Sequence, residues 1–592
     1  MFQNGWQNCL AVCNVKQRQS PFLLLLILIT VAGSLGVFVW GLNKAFDLTD
    51  AGYYLLRCQD RQPLEAGGFL YDHILLRAVL PSAWRQIIPM RFIGMVLNLL
   101  STLLFAFAIF HTQKKREPGS FSFPAIFWLI FTGFIFSYAG SPSELSYNIL
   151  NQFLLLCGAA FLLLSFHSRV TPKLVFSALA GSLLGISLLI KLPSGLAASV
   201  ASAALLLFSG KKRWSAVFSL GAGILSSLLL IYFFVKPDFI TYFVSGISSI
   251  GKGNEYGSHL LLISLYNILL QNVIAFIIAL AVNLAWWFTN KIEQRKLKLL
   301  TRTAIAIIPL LILGKAVVKH LQGSMIVSDT LMLMVFLIVL RLVFQKAGSS
   351  KSFSLTSAAP GSGLKTPPLK ECISYYHNNY LSLAPIIFLF ILPYIGALGT
   401  NNSLNWGAKF YYAFILGALA LLSARQNSRL LRTTLFGMAA YMLIIGLLQV
   451  VQYPYRVKPL YTQKYEYKGI KFDAAKLRFL QETDSALNSN GFRPEQGMIV
   501  AYKSPGLVYL LNSYQPGGVL WSPETEDAYF TLLSKTPILQ KPAIIAIGKP
   551  LSHNFTDKLQ AATGISFFAN YHLVKKISFY EAGSLVYLYL PL

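Results

Sequence analysis

Thirteen apolar runs, each long enough to cross a lipid bilayer, constrain what this chain of 592 residues can form. A transmembrane helix needs about 20 mainly apolar residues, and these runs hold roughly 15–22 each. Charged residues make up only 12% of the chain, against about 25% in soluble proteins, so a bilayer must solvate much of its surface. The pattern predicts an α-helical polytopic membrane protein. The runs cover 21–41, 89–110, 121–138, 147–166, 174–190, 194–209, 215–235, 271–289, 303–319, 330–345, 381–398, 410–424 and 434–452.

Basic residues are concentrated in alternate connections between these runs. The clusters at 114–116, 211–213, 295–298 and 425–432 all fall on one predicted side, which the positive-inside rule places in the cytoplasm. With about 13 helices, the N-terminus is then cytoplasmic and the C-terminal end extracytoplasmic. The net charge of +28 is explained by this topology, so we expect membrane lipids as partners and no nucleic acid.

Five parts follow from the same pattern. They are a cytoplasmic tail (1–20), a transmembrane module (21–345) with a long external loop (42–89), a flexible Ser/Gly/Pro-rich cytoplasmic linker (346–380), further transmembrane helices (381–452) and a C-terminal extracytoplasmic domain (453–592). In that domain, 474–487 is patterned as an amphipathic helix, and 497–502, 542–548 and 584–590 as strands. A small α/β domain is predicted.

The external loop holds the acids with the clearest chemical potential. Asp50 follows helix 1 by a few residues and precedes an apolar-aromatic stretch. A carboxylate at the membrane boundary is suited to act as a general base for an amphiphilic substrate whose polar head lies at the interface. A loop of this length also needs charges for solvation, and spacing alone leaves both interpretations open.

Several motifs resemble the GT-C superfamily of polyprenyl-phosphate-sugar-dependent glycosyltransferases, especially bacterial relatives of protein O-mannosyltransferases and of lipid A aminoarabinose transferase. The first are FDLTDAGYYLL (46–56), YDHILL (71–76) and Arg91 at the start of helix 2. The family often carries an acidic pair in this loop. Asp50 matches the first acid, Ala51 stands at the second position, and Asp47 is the acid that would compensate.

Two further matches lie before residue 210. SPSELSYNILNQ (141–152) is similar to the family's second external acidic or polar site and offers Glu144, Tyr147 and Asn148. The resemblance gives these three residues a supporting or acceptor-orienting role. GSLLGISLLIKLPSG (181–195) resembles the family's glycine-spaced helix that ends in a lysine turn, here Lys191.

Cations at external helix ends suit an anionic lipid-phosphate donor. Arg91, Lys191, Lys315 and Lys319 take such positions in the predicted topology, and the two last share a helix face at i, i+4. Lys315 lies about a turn inside an apolar helix, which is costly without a partner. For Lys191 and Lys319, simple snorkelling to the interface is the plain alternative.

The resemblance implies an inverting membrane glycosyltransferase of a bacterial plasma membrane, with Asp50 as catalytic base. It would transfer a sugar from a polyprenyl-phosphate-linked donor to a lipid, glycan or protein acceptor on the outer face. No metal-ligand spacing is present, and since family members differ on metal, a divalent cation stays open as cofactor. The alternatives are a transporter or flippase of lipid-linked saccharides, which would bind at mid-membrane, and an assembly protein acting through its outer domain.

Overall fold

A computed structural model gives the architecture of the chain. It describes residues 21–62, 72–114, 121–140, 143–209, 212–235, 273, 276–289, 292–305, 369–399, 407–426, 429–452, 457–502, 504–520, 526–538, 540–580 and 584–592. Within these residues the protein is a helical bundle joined to a mixed α/β region at the C-terminal end.

The bundle helices follow the apolar runs closely. They are α1 (Pro21–Gly41), α4 (Ile87–Lys114), α5 (Phe123–Ala139), α6 (Tyr147–His167), α7 (Val170–Ile190), α8 (Leu192–Leu207), α9 (Arg213–Val235), α10 (Leu369–Ala397), α11 (Tyr412–Gln426) and α12 (Arg429–Gln452). Two short helices, α2 (Asp50–Arg57) and α3 (Asp72–Val79), lie in the loop between α1 and α4. Six bundle helices are long and apolar enough to span a membrane: α1, α4, α6, α7, α9 and α12. Shorter apolar helices lie at Phe123–Ala139, Leu192–Leu207, Phe276–Phe288 and Leu383–Ala397.

Small residues let the helices around α7 approach closely. A Cβ on Gly181 would come within 2.0 Å of the Leu220 carbonyl oxygen on α9, and one on Gly223 within 2.1 Å of the Ala178 oxygen on α7. Close contact through glycine is a common mode of packing between helices in lipid. A Cβ on Gly195 would meet the backbone nitrogen of Leu188 at 2.5 Å. This tight α7–α8 turn fixes the position of Lys191.

The ends of several helices meet on one side of the bundle, which we call the loop end because residues 42–62 and 72–86 lie there. Lys191, between α7 and α8, contacts Gly396 at the C-terminal end of α10. Both residues lie at the loop end. The total of thirteen and the cytoplasmic placement of the N-terminus remain predictions.

One predicted boundary differs from the structure. The composition predicts a flexible linker over 346–380, whereas α10 begins at Leu369. Residues 369–380 are rich in polar and aromatic side chains, so their composition hides a helical extension that continues from the apolar segment 383–397. Helix formation adds one hydrogen bond per residue once a helix has started, so polar residues extend it readily.

The C-terminal region contains every element expected there. The helix is α13 (Ala474–Ser489), and the three strands are β3 (Met498–Ala501), β4 (Ala543–Ile547) and β6 (Leu585–Pro591). Further elements are β1 (Tyr465–Tyr467), β2 (Ile470–Phe472), α14 (Pro505–Leu510), α15 (Glu526–Leu533), α16 (His553–Thr563), α17 (Phe567–Asn570) and β5 (Tyr571–Ser578). The main sheet has the order β3-β4-β6-β5, with β3 and β4 parallel and the other pairs antiparallel.

Strand β5 was not predicted from the sequence. Its register against β6 shifts between Leu573 and Lys575. Such an irregularity places neighbouring side chains out of the two-residue alternation by which half-buried strands are recognised. The pattern was therefore too weak to mark this strand.

Candidate active site

Arg91 and Glu144 form a buried ion pair at the loop end, which we call the clasp. The Nε and Nη2 atoms of Arg91 donate to Glu144 Oε1 at 2.8 and 2.5 Å. Its Nη1 donates to the carbonyls of Leu42 and Lys44, and Nη2 also donates to Ala45. The five N–H donors of the guanidinium are matched by five hydrogen bonds. Both side chains are at most 4% exposed.

The contacts within the clasp bear on the roles predicted for Arg91 and Glu144. Arg91 was expected to bind the donor phosphate, and Glu144 to support the acidic site. Because the donors of Arg91 are engaged inside the protein, a phosphate would have to displace backbone carbonyls or Glu144. The structure instead has Arg91 fastening the chain that leaves α1, with Glu144 as its counter-ion.

A cavity of about 70 Å³ lies beside the clasp, under the beginning of the C-terminal region. Its wall includes Lys44, Asp47, Arg91 and Glu144, together with apolar side chains such as Leu460. Neither Asp50 nor Lys191 lines this cavity. The polar groups of its wall largely serve the clasp and the start of α2, so we place the candidate chemistry elsewhere.

Asp47 organises the first turn of α2. Its carboxylate accepts hydrogen bonds from the backbone N–H of Thr49 at 3.0 Å and of Asp50 at 2.9 Å, and from the Thr49 hydroxyl at 2.6 Å. This is how an acidic residue caps the unpaired N–H groups at a helix start. Asp47 is 5% exposed. Its position gives it the structural task of presenting Asp50, the first residue of α2.

Asp50 belongs to a polar group centred on Tyr147. Tyr147 opens α6, and its hydroxyl hydrogen-bonds the side chains of Tyr54 and Asn148 while lying within electrostatic range of the Asp50 carboxylate. The rings of Tyr54 and Tyr147 meet edge to face with centroids 5.6 Å apart. Asp50 and Tyr147 are partly exposed, whereas Tyr54 and Asn148 are buried. The carboxylate of Asp50 thus has access to solvent and lies near the buried polar side chains of Tyr54 and Asn148.

Lys191 contacts this group through Asn148 and the ring of Tyr147. Its Nζ donates to the Gly396 carbonyl at 2.7 Å and to Asn148 Oδ1 at 3.4 Å, and it lies 5.6 Å from the centroid of the Tyr147 ring. The side chain is 0% exposed. We call Asp50, Tyr54, Tyr147, Asn148 and Lys191 the Tyr147 cluster. Tyr147 and Asn148 contact Lys191, and Tyr147 lies within electrostatic range of Asp50. Lys191, predicted to bind the donor phosphate, is buried rather than open to a ligand.

Three further residues approach the same place and were not singled out from the sequence. Arg57 Nη1 and His73 Nδ1 each lie 3.8 Å from Asp72 Oδ1, and Arg57 Nη2 lies 3.4 Å from His73 Nε2. All three side chains are at most 3% exposed. The Tyr147 hydroxyl is within electrostatic range of Asp72 as well as of Asp50. The YDHILL motif contains Asp72 and His73, but the sequence alone indicated no role for these two residues.

Burial controls the protonation of this Asp72–His73 pair. It lowers the pKa of His73 to about 3, helped by the neighbouring Arg57 charge, so the ring is neutral at physiological pH. Burial alone would raise the pKa of Asp72, but the adjacent His73 ring and the Arg57 guanidinium outweigh it and hold that pKa below its usual range. Asp72 therefore adds a second negative charge beside Tyr147.

The remaining candidates are limited by what the structure describes. Lys315 and Lys319, expected to bind donor phosphate, lie outside the described residues. Among the residues that are described, no three His, Cys, Asp or Glu side chains are grouped to hold a metal ion.

Comparison with known proteins gives structural similarity only. A crystal structure of ArnT from Cupriavidus metallidurans bound to undecaprenyl phosphate matches with a TM-score of 0.43 and 13% identity, over 95% of this chain and 97% of that chain. The Archaeoglobus fulgidus oligosaccharyltransferase in complex with Zn and sulfate matches with 0.43 and 12%, over 90% and 70%. The same archaeal enzyme, AglB, with an inhibitory peptide and a dolichol-phosphate matches with 0.38 and 12%, over 90% and 70%.

These similarities extend over 90–95% of this chain. No protein-family model matches the sequence, and no curated protein sequence matches it.

Proposed function

We propose that this protein is a membrane glycosyltransferase that moves a sugar from a polyprenyl-phosphate donor to a hydroxyl or amine acceptor at the loop end of the bundle. One observation carries the proposal. The Tyr147 cluster joins a partly exposed carboxylate, Asp50, to a buried ammonium, Lys191, at the level where the helices end. A lipid-linked sugar and a polar acceptor can meet at this level, because the polyprenyl chain stays in the bilayer. The motif resemblance points the same way.

The reaction needs one base and one stabiliser of negative charge. Asp50 takes the proton of the acceptor while the acceptor atom bonds to the anomeric carbon. The bond from that carbon to the phosphate oxygen breaks, and the polyprenyl phosphate leaves with the electron pair. Direct displacement inverts the anomeric centre. Asp50 releases the proton to solvent, to which it is partly exposed.

Lys191 acts on the leaving group through its field. Its ammonium is buried behind the Tyr147 ring, where charges are screened less than in water. Preorganised charges of this kind stabilise charge that develops in a transition state without reorganisation. Tyr147, which lies near both Lys191 and Asp50, and Asn148, which accepts from Lys191, orient the acceptor. Lys315 and Lys319 are retained as candidate contacts to the donor phosphate.

A transporter or flippase is disfavoured by where the charges lie. In the described bundle helices, the Lys, Arg, Asp and Glu side chains lie in the end turns and not at mid-helix, as Arg91, Lys173 and Arg425 illustrate. Transporters commonly bind their substrates near the midplane, through interrupted helices that carry the polar groups. The charged and polar side chains of the Tyr147 cluster meet at the loop end instead, which favours a transferase.

The test uses the full-length protein reconstituted in phosphatidylethanolamine and phosphatidylglycerol vesicles. A panel of radiolabelled polyprenyl-phosphate monosaccharides serves as donor, and a membrane extract of the source cells supplies acceptors. We expect release of polyprenyl phosphate with transfer of label to an acceptor for at least one donor. Movement of intact labelled donor across the vesicle membrane, without cleavage, would favour the flippase instead.

A further inference from the structure

The segment that leads from α1 to Asp50, residues 42–48, is held from two sides. From the bundle, Arg91 binds the carbonyls of Leu42, Lys44 and Ala45 at 2.9, 2.8 and 2.6 Å. Within the loop, the Gly52 N–H binds the Asp47 carbonyl at 3.0 Å. We call residues 42–48 the entry segment. The three other carbonyls of this segment belong to Asn43, Phe46 and Leu48.

The C-terminal region binds those three carbonyls. The Lys471 N–H donates to Asn43 O at 2.8 Å, Lys476 Nζ donates to Phe46 O at 2.8 Å, and the Gly506 N–H donates to Leu48 O at 2.8 Å. The Ala45 N–H also donates to Lys471 O at 2.9 Å. Each carbonyl from Leu42 to Leu48 thus accepts a hydrogen bond. A connecting segment normally leaves part of its backbone to water, so this degree of engagement is unusual for a loop.

Close packing continues into the helix that carries Asp50. A Cβ on Gly52 would lie 2.3 Å from the Gly506 nitrogen, and a Cβ on Gly506 would lie 2.7 Å from Leu48 Cα. The backbones of α2 and α14 therefore touch directly, which only glycine permits at this distance. Further along the loop, the Gln62 side chain pairs with the Gln515 backbone through bonds of 2.8 and 2.9 Å.

We propose that the C-terminal domain helps to form the active site, because its residues Lys476 and Gly506 hold the entry segment so that Asp50 faces Tyr147. This inference rests on the proposed function of Asp50. Misplacing a catalytic group by about 1 Å can reduce the rate about 100-fold. Lys476 and Gly506 are positioning residues and contact no substrate. The domain thereby controls kcat from the side opposite to the bundle.

The test compares Gly506→Ala and Lys476→Met with matched controls. Gly506→Ala puts a methyl group against Leu48, while Lys476→Met keeps the chain length and removes the donor to Phe46. Gly437→Ala is the first control, because a Cβ there meets nothing within 4 Å. Arg478→Met is the second, since Arg478 is exposed on the same helix as Lys476. Amide hydrogen exchange of the full-length protein is followed in residues 43–57 and in strands β3, β4 and β6.

We expect exchange in residues 43–57 to become at least tenfold faster in both test variants and to stay unchanged in the controls and the strands. In the vesicle assay, kcat should fall at least tenfold with little change in donor KM. Exchange in 43–57 that matches wild type overturns the proposal, as does faster exchange with normal kcat. Exchange needs no substrate, so a wild-type protein without transfer activity would refute the proposed function while this measurement still shows whether the domain holds the loop.

Discussion

The clasp and the Tyr147 cluster are both charged and located at the loop end, yet they differ in how their charges are satisfied. In the clasp, a cation faces an anion, and the donors of Arg91 have close partners. In the Tyr147 cluster, Lys191 meets neutral oxygens of Gly396 and Asn148, while the carboxylate of Asp50 lies partly exposed nearby. The ion pair of Arg91 and Glu144 stabilises the fold, because each charge is neutralised by the other. The charges of Lys191 and Asp50 do not neutralise each other in this way, so they can act on a bound substrate.

The largest expected effect is on Asp50. Asp50→Asn keeps the size of the side chain but cannot accept a proton, so transfer should fall about 10²–10⁴-fold, the usual contribution of a general base. Thermal stability should change little. Initial rates in vesicles measure this. The control is Asp60→Asn, which removes an exposed carboxylate paired with Arg85 in the same loop.

Activity of Asp50→Asn within a few-fold of wild type would remove Asp50 from the mechanism. If Asp47→Asn proved to be the inactive variant while folding normally, the acid of the motif would lie three residues earlier. We expect Asp47→Asn instead to cost about 1 kcal/mol of stability through the weakened helix cap.

Breaking the clasp should affect folding. Arg91→Met or Glu144→Leu leaves one buried charge unpaired, which destabilises a protein by about 3–5 kcal/mol. The double variant Arg91→Met/Glu144→Leu should recover part of that loss, because no charge is left buried alone. Thermal melting of the purified protein measures the three variants. A single variant as stable as wild type, but unable to bind donor, would return Arg91 to the phosphate site.

Replacing Lys191 should reduce transfer and leave stability intact, whereas breaking the clasp should reduce stability. Lys191→Met keeps the length of the side chain and removes a buried charge whose described partners are neutral, so stability should hold or increase. Transfer should fall about 10–100-fold, from the loss of about 1.5–3 kcal/mol of interaction with a charged group. The rate and the melting temperature are measured on the same preparation. Loss of stability with unchanged transfer would make Lys191 a structural residue like Arg91.

The smallest effect concerns His73. Its folded pKa of about 3 lies below the value near 6.5 of an unfolded chain. Between these values only the unfolded state takes up the proton, so stability is lost as pH falls. From pH 7.5 to 5.0 the loss is about 2 kcal/mol. His73→Gln should lose less stability over this range, as measured by melting at pH 7.5 and 5.0. Equal losses in both proteins would show that His73 is not buried in its neutral form.

The sequence by itself determined the membrane character of the chain, the limits of most described helices and three strands of the C-terminal sheet. These features are local, because hydrophobic length and two- or 3.6-residue periodicity can be counted along the chain. Where a local pattern is interrupted, as at the irregularity in β5 or the polar start of α10, the prediction missed the element or its boundary. The residues at the loop end were also found, because motif order and helix ends mark them.

Only the tertiary structure decided which of those residues work together. Arg91 and Lys191 are both cations at predicted external helix ends, but Arg91 meets Glu144, 53 positions away, and Lys191 meets Gly396, 205 positions away. The interface between the C-terminal domain and the entry segment depends on contacts such as that of Lys476 with Phe46, which are 430 positions apart. A buried charge takes its role from its partners, and partners so distant in sequence are chosen by the packing of the whole chain.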